Sequence, residues 1–208
     1  MKIDAMSAQP DRLGRHLVTF EDGSVMRLYR QTIEDFCLYT GKELEDHEAA
    51  KLKEAAGLMS AKMRAVRIVS AASVSRKDLE QRLLSRGEDP DQARSAVEWM
   101  AELNLVDDAK MAEQVVQRCA AKGYGIARAK QMLYEKRIPK RYWDGALQDY
   151  PDQAEYIQSF LHAHVSDPDD ARMIKKAIDA LLRRGHSYGD IRRGLEQLSV
   201  DLEDFRGE

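Results

Sequence analysis

Two histidines, His162 and His164, stand one residue apart and offer two possible metal ligands. On a helix, residues i and i+2 point to different faces, and no third ligand lies nearby at helical spacing, so both are read as surface or partly buried histidines. Asp107-Asp108 could hold a cation. The same pair suits a helix start, where carboxylates cap free N–H groups and meet the positive end of the helix dipole. That role needs no metal. Gly123-Tyr124-Gly125, ahead of a helical segment, is open to two readings: a cradle of free backbone N–H groups for a phosphate, or an interhelical turn. It is not a Walker loop, because the Lys-Ser/Thr pair after the second glycine is missing. No nucleophile, base and acid come together, so no catalytic residue, metal or cofactor is expected. The chain reads as a binding protein and not an enzyme.

Binding chemistry is easier to find. Lys122, Arg128, Lys130, Lys136, Arg137, Lys140 and Arg141 crowd a short stretch in which Glu135 is one of few acids. Taken singly, each fits a solvated face; taken together, they form a surface for phosphates or for acidic patches on a protein. Tyr142 and Trp143 beside them could stack on bases, but Trp143 falls at an apolar position of a repeat and is assigned to the core. Trp99 and Met100, on an amphipathic segment, are assigned likewise.

Composition sets the frame for these residues. The 208-residue chain is 43% hydrophobic and 33% charged, with 7% aromatics, which favours helices with wide solvated faces. The net charge of −3 is unevenly spread, with a basic middle, residues 61–148, between two acidic ends. The two cysteines, Cys37 and Cys119, are far apart and suggest neither a disulfide framework nor a metal site. Met1-Lys2-Ile3-Asp4 lacks the apolar core of a signal peptide, and no run approaches a membrane span. A cytoplasmic location and no membrane contact are expected.

Residues 16–20 and 24–28 alternate apolar and polar around Glu21-Asp22-Gly23, a hairpin signal. A third short strand fits Lys2–Met6, and helix is expected from Thr40 to Leu58. From Ala61 onward no strand pattern occurs. Ser75 with Asp78, Asp107, and Ser187 with Asp190 read as helix starts, as do Asp89-Pro90 and Asp167-Pro168 with proline at the first helical position; Pro139 suits the same position. Gly87 and Gly185 follow Arg86 and Arg184 where a left-handed residue ends a helix. An internal repeat emerges around anchors at Gly87, Arg137 and Gly185. Four residues earlier stand Leu83, Leu133 and Leu181; six later, Ala93, Trp143 and Ile191; ten later, Val97, Leu147 and Leu195. Each unit is then a helix, a tight turn and a second helix, with Ala61–Val69, Asp108–Ala121 or Gln153–Ala163 preceding it.

The segment Leu103-Asn104-Leu105-Val106-Asp107-Asp108-Ala109-Lys110-Met111-Ala112, followed by Arg118-Cys119-Ala120-Ala121-Lys122-Gly123-Tyr124-Gly125-Ile126-Ala127-Arg128, resembles the signature of the RecX family. Leu133 to Ile138, Ser75 to Gly87, Leu181 to Ser187 and Leu38 to Leu44 add to the resemblance, which spans nearly the whole chain. Three positions depart from it. Arg137 replaces a glycine, so a residue with a Cβ must take positive φ, at about 1 kcal/mol. Ile126 stands where proline is common, and Glu88 where an aromatic is usual, so an apolar contact after the helix end is expected to be lost there.

The resemblance implies a mainly α fold of three tandem three-helix, helix-turn-helix-like repeats, elongated and curved, with a small N-terminal β-hairpin element. The expected division is 1–58, 59–106, 107–150 and 151–208. It implies a regulator that binds RecA filaments on DNA and inhibits or modulates ATP hydrolysis and strand exchange in recombinational repair and the SOS response. Weak direct DNA binding and a monomeric state are further expectations. Arg183 and Arg184, in the third unit, join the candidate binding residues. Two alternatives stay open: a helix-turn-helix protein that reads DNA sequence, and a helical scaffold for another protein.

Overall fold

The computed structural model describes residues 1–198 and divides into two compact units, Met1–Val106 and a second beginning at Asp107. In the first unit three strands, β1 (Ile3–Met6), β2 (Arg15–Phe20) and β3 (Val25–Tyr29), form an antiparallel sheet in the order β1-β2-β3. The hairpin pairs Val18 with Met26 and His16 with Leu28. Its loop is Glu21-Asp22-Gly23, closed by Phe20 N–H donating to the Ser24 carbonyl at 2.9 Å, and only Gly23 takes positive φ, 78°. One face of the sheet buries Ile3, Val18, Phe20 and Leu28 with Leu38, Leu44 and Leu52. So small a sheet is marginal alone, and Leu52 is the residue through which a helix covers it.

The short helix α1 (Arg30–Asp35) is followed by α2 (Asp46–Ala71). Helix was expected from Thr40, but residues 41–43 run beside β1 instead, with Ile3 N–H donating to the Lys42 carbonyl at 2.9 Å. A reciprocal cap between Glu45 and Glu48 then starts α2. This helix continues across residues 58 and 59, where a boundary was expected, and its far half buries Ala61, Ala65 and Ile68. Those residues share a core with α3 (Arg76–Leu84) and α4 (Pro90–Glu102). Ser75 and Asp89 cap the two helices, and Pro90 occupies the first position of α4.

The second unit holds two further helical clusters. One joins α5 (Asp108–Ala121), α6 (Ile126–Glu135), a 3-10 turn (Lys140–Tyr142) and α7 (Trp143–Leu147). The other joins α8 (Ala154–His164), α9 (Ala171–Arg183) and α10 (Tyr188–Gln197). Two helix starts differ from expectation. Asp167 closes a turn, its carboxylate accepting from Asp169 N–H at 3.0 Å. α9 begins after Asp170, whose carboxylate accepts from Arg172 and Met173. Pro139 precedes the 3-10 turn instead of opening an α-helix.

The anchor repeat has a backbone cause. Gly87, Arg137 and Gly185 adopt φ of 82°, 54° and 86° at the ends of α3, α6 and α9. The next amide in each case, from Glu88, Ile138 or His186, donates back to the carbonyl of Leu83, Leu133 or Leu181, at 3.3, 3.1 and 3.2 Å. That is the six-to-one bond of a Schellman ending. It fixes the leucine four residues before the anchor, and all three leucines are fully buried. At Glu88, where an apolar contact was expected to be lost, an ion pair replaces it: Oε1 lies 2.5 Å from Arg64 Nε of α2, with the Glu88 side chain only 8% exposed.

Within the second unit, the turn after α5 locks onto the turn after α9. Gly125 N–H donates to the Arg184 carbonyl at 2.9 Å and Ala127 N–H to the Gly185 carbonyl at 3.3 Å. Backbones meet so closely that a Cβ on Gly125 would overlap the Gly185 carbonyl. His186, buried, holds the Gly123 carbonyl at 3.0 Å through Nε2. A carbonyl only accepts, so Nε2 carries the hydrogen. The imidazole stacks on Tyr156 with centroids 5.7 Å apart. The Arg184 guanidinium lies over Tyr124, Tyr156 and Phe160, 5.4–5.9 Å from the ring centres. Tyr150 donates its hydroxyl to the Tyr124 carbonyl at 2.7 Å, and burial pushes its pKa up to about 12.

Two outcomes follow from this backbone. Arg137→Gly removes a left-handed residue with a Cβ and should stabilise the unit by about 1 kcal/mol, raising its melting temperature by several degrees. Arg137→Ala, which loses the guanidinium but keeps the Cβ, should not. Burial pushes the His186 imidazole below its ordinary range, and Arg184 acts in the same direction, against the Gly123 carbonyl and Asp190. A folded pKa below the unfolded one gives stability that is complete above the unfolded value, about 6.5, and is lost as pH falls through the folded value. The melting temperature should therefore drop between pH 7.5 and 5.5. In His186→Gln that drop should shrink; an unchanged drop would mean that another group causes it.

Candidate nucleic-acid and protein interface

Helix α6 is built to display residues. Leu133 and Ala129 turn inward against α5, and the side adjoining that buried stripe carries Ile126, Lys130 and Tyr134 at four-residue spacing. Lys130 is exposed, Ile126 is 45% exposed and Tyr134 72%. Placed a turn apart on either side of Lys130, Ile126 and Tyr134 offer apolar surface that a partner could cover. Lys136 and Arg137 follow at the helix end, both exposed. Pro139 and the 3-10 turn then set Lys140 and Arg141 on the surface a few residues further on. Arg141 folds over the Tyr142 ring, 4.8 Å from its centre, and donates from Nη2 to the Tyr142 hydroxyl at 3.0 Å.

The remaining candidates divide. Lys122 is exposed at the end of α5. Arg128, half-buried, lies 3.5 Å from Glu135 two turns along the same helix. Arg183 is exposed on the last turn of α9. Arg184 serves the three aromatic rings of the junction, which gives its cation a structural task. Trp143 is partly buried against the α5–α6 core and donates its indole N–H to the Ile138 carbonyl at 2.9 Å, so its ring fills the core and is not a base platform. Lys62 lies over the Trp99 ring at 5.1 Å.

The phosphate alternative at Gly123-Tyr124-Gly125 does not hold. The amides it needs are occupied: Gly123 and Tyr124 donate to Ala120 and Cys119, Gly125 to Arg184, and Ala127 to Gly185. Asp107 caps α5 by accepting from Ala109 and Lys110 at 2.9 and 3.1 Å, and Asp108 is buried in its first turn. His164 stacks on Phe160, with centroids 4.0 Å apart. Among the described residues no three His, Cys, Asp or Glu side chains are grouped to hold a metal, and no helix is long and apolar enough to cross a membrane.

Three cations outside the sequence candidates emerge from the fold. Arg172, Lys175 and Lys176 lie on the outward side of α9. Their signal in the sequence was spacing: residues 172, 176 and 183 repeat at helical intervals on one face.

No family model matches the chain. Curated relatives do. Regulatory protein RecX of Xanthomonas oryzae pv. oryzae is 31% identical over 144 residues, covering 68% of this chain and 87% of that protein. RecX of Clostridioides difficile is 24% identical over 203 residues, covering 95% and 94%. A crystal structure of a regulatory protein RecX superposes with a TM-score of 0.66 at 20% identity, over 92% of this chain and 98% of that one. RecX from Lactobacillus salivarius gives 0.60 at 23% identity, over 71% and 99%. These structures share its mainly helical fold. At 31% identity over most of a relative's length, the chain belongs to the RecX family of regulatory proteins.

Proposed function

We propose that this protein is a non-catalytic cytoplasmic regulator that binds RecA filaments on DNA and restrains their ATP hydrolysis and strand exchange, in recombinational repair and the SOS response. The observation that carries the reading is the α6 face, where exposed Ile126 and Tyr134 flank Lys130 and lead into Lys136, Lys140 and Arg141. Apolar anchors ringed by cations suit an acidic patch on a protein surface. Membership of the RecX family points to the recombinase as that protein. In this reading the division 1–58, 59–106, 107–150 and 151–208 is functional: successive helical units contact successive protomers along a filament groove, and bridged protomers cannot turn over ATP or pair homologous DNA normally.

The test is charge reversal at Lys130, Lys136 and Lys140, each to Glu, measured with preformed RecA filaments. On the scale of about 1 kcal/mol per exposed charge pair, the lost contacts and new repulsion should weaken filament binding by more than tenfold, with helicity by circular dichroism unchanged. Binding of the unaltered protein should also weaken as salt rises. A folded triple variant that still suppresses RecA-dependent strand exchange at the wild-type concentration would exclude the α6 face as the main contact.

A further inference from the structure

Helices α3, α4, α5, α9 and α10 each start on an oxygen of their own N-cap side chain, from Ser75, Asp89, Asp107, Asp170 and Ser187. Helix α6 cannot, because its N-cap is Gly125. Its acceptors come from the end of α9: Gly125 N–H donates to the Arg184 carbonyl and Ala127 N–H to the Gly185 carbonyl, at 2.9 and 3.3 Å. A helix leaves its first amides and its last carbonyls without internal partners, and here one helix end supplies the other. The negative end of the α9 dipole thereby meets the positive end of the α6 dipole. A side chain that could cap α6 from position 125 is excluded by the same contact, since a Cβ there would overlap the Gly185 carbonyl. Ile126, the first apolar anchor of the α6 face, stands between the two clamped amides, so the turn after α9 sets its backbone position.

One side chain fastens the two turns. His186, next after Gly185, is buried and reaches across to the Gly123 carbonyl at 3.0 Å. Around it stand Arg184 on its own turn, Asp190 of α10 and the stacked Tyr156 ring of α8. From the α5 and α6 side come Lys122 and Tyr124, which flank Gly123, and Arg128, whose backbone lies against Gly185. Tyr150 holds the Tyr124 carbonyl through its hydroxyl. Asp190 is the one acid in this set, and it already serves Ser187 and Arg193. An imidazolium still donates to the Gly123 carbonyl, but it is a second cation, cut off from water, beside Arg184. Parting the turns lets water reach the ring and relieves both penalties. We infer that the turn after α9 is the N-terminal cap of α6, and that His186 is the positioning residue that holds it there at neutral pH and releases it on acidification. The consequence for binding rests on the α6 face being the partner contact of the proposed function. Release frees the first turn of α6, and Ile126 with it, so that contact weakens as pH falls.

The test is amide hydrogen exchange of the full chain at pH 7.5 and at pH 5.5, corrected for the intrinsic effect of pH on exchange. In wild type, protection at Gly125, Ala127 and the first turn of α6 should fall severalfold on acidification, with the amides of α3 unchanged. His186→Gln, whose side-chain amide can donate to Gly123 and does not titrate, should keep its protection at both pH values. His186→Ala should lose it at both. Gly125→Ala, whose Cβ forces the two turns apart, should show the acid pattern already at pH 7.5. Where variants fail to fold, the wild-type His186 ring signals decide: they should titrate with the same midpoint as the loss of protection. Protection that does not change with pH in wild type, that falls as steeply in His186→Gln, or that falls with a midpoint unrelated to the ring would overturn the inference. Binding to preformed RecA filaments should weaken on acidification more in wild type than in His186→Gln, and an equal loss in both would overturn the link to the α6 face. Absence of filament binding at both pH values would overturn the proposed function alone, because the exchange measurement contains no recombinase.

Discussion

Backbone in the left-handed region is the constraint on which the helical part of this protein depends. Gly87, Arg137 and Gly185 each reverse the chain at a helix end, and the amide beyond each returns to a leucine carbonyl one turn back. The bond places the leucine, the leucine founds the core, and the next helix must then present residues six and ten beyond the anchor to the same core. Ala93 and Val97, Trp143 and Leu147, and Ile191 and Leu195 all pack there. Side-chain identity varies at these positions because the backbone hydrogen bond, which any residue but proline can donate, carries the geometry.

Much of this was legible because it is local. Asp22-Gly23, Ser75, Asp89-Pro90, Asp107 and the anchor glycines act on their immediate neighbours, and short-range chemistry determines what they do. The errors were local competitions with more than one winner. Asp167-Pro168 and Asp170 both offer a cap oxygen, and the later one starts α9. Residues 41–43 could have opened a helix but gained sheet-like bonds to β1. What the sequence did not disclose depends on distant partners. Glu88 looked like a loss until Arg64, on another helix, was found beside it. Gly123-Tyr124-Gly125 looked available until the amides proved to face Arg184 and Gly185.

The candidate site shows the same division. The basic stretch around α6 was visible from composition. The exposure of Tyr134, and the core role of Trp143 only nine residues later, follow from helix phase and the Schellman turn between them. Arg184 illustrates why a count of cations is not a map of a surface: three aromatic rings hold it at the junction. Arg183, its neighbour in the chain, points to solvent.

Helix α2 has a thermodynamic consequence for the first unit. Its 26 residues extend about 39 Å, with Leu52 in the sheet-covered core and Ala61, Ala65 and Ile68 in the core of α3 and α4. Two hydrophobic cores that share one helix are coupled, because loss of α2 as a whole strips a wall from both. The N-terminal sheet is therefore an integral part of the first unit's folding cooperativity. Stability gained or lost in the hairpin is transmitted, through a single run of backbone hydrogen bonds, to the helical core beyond it.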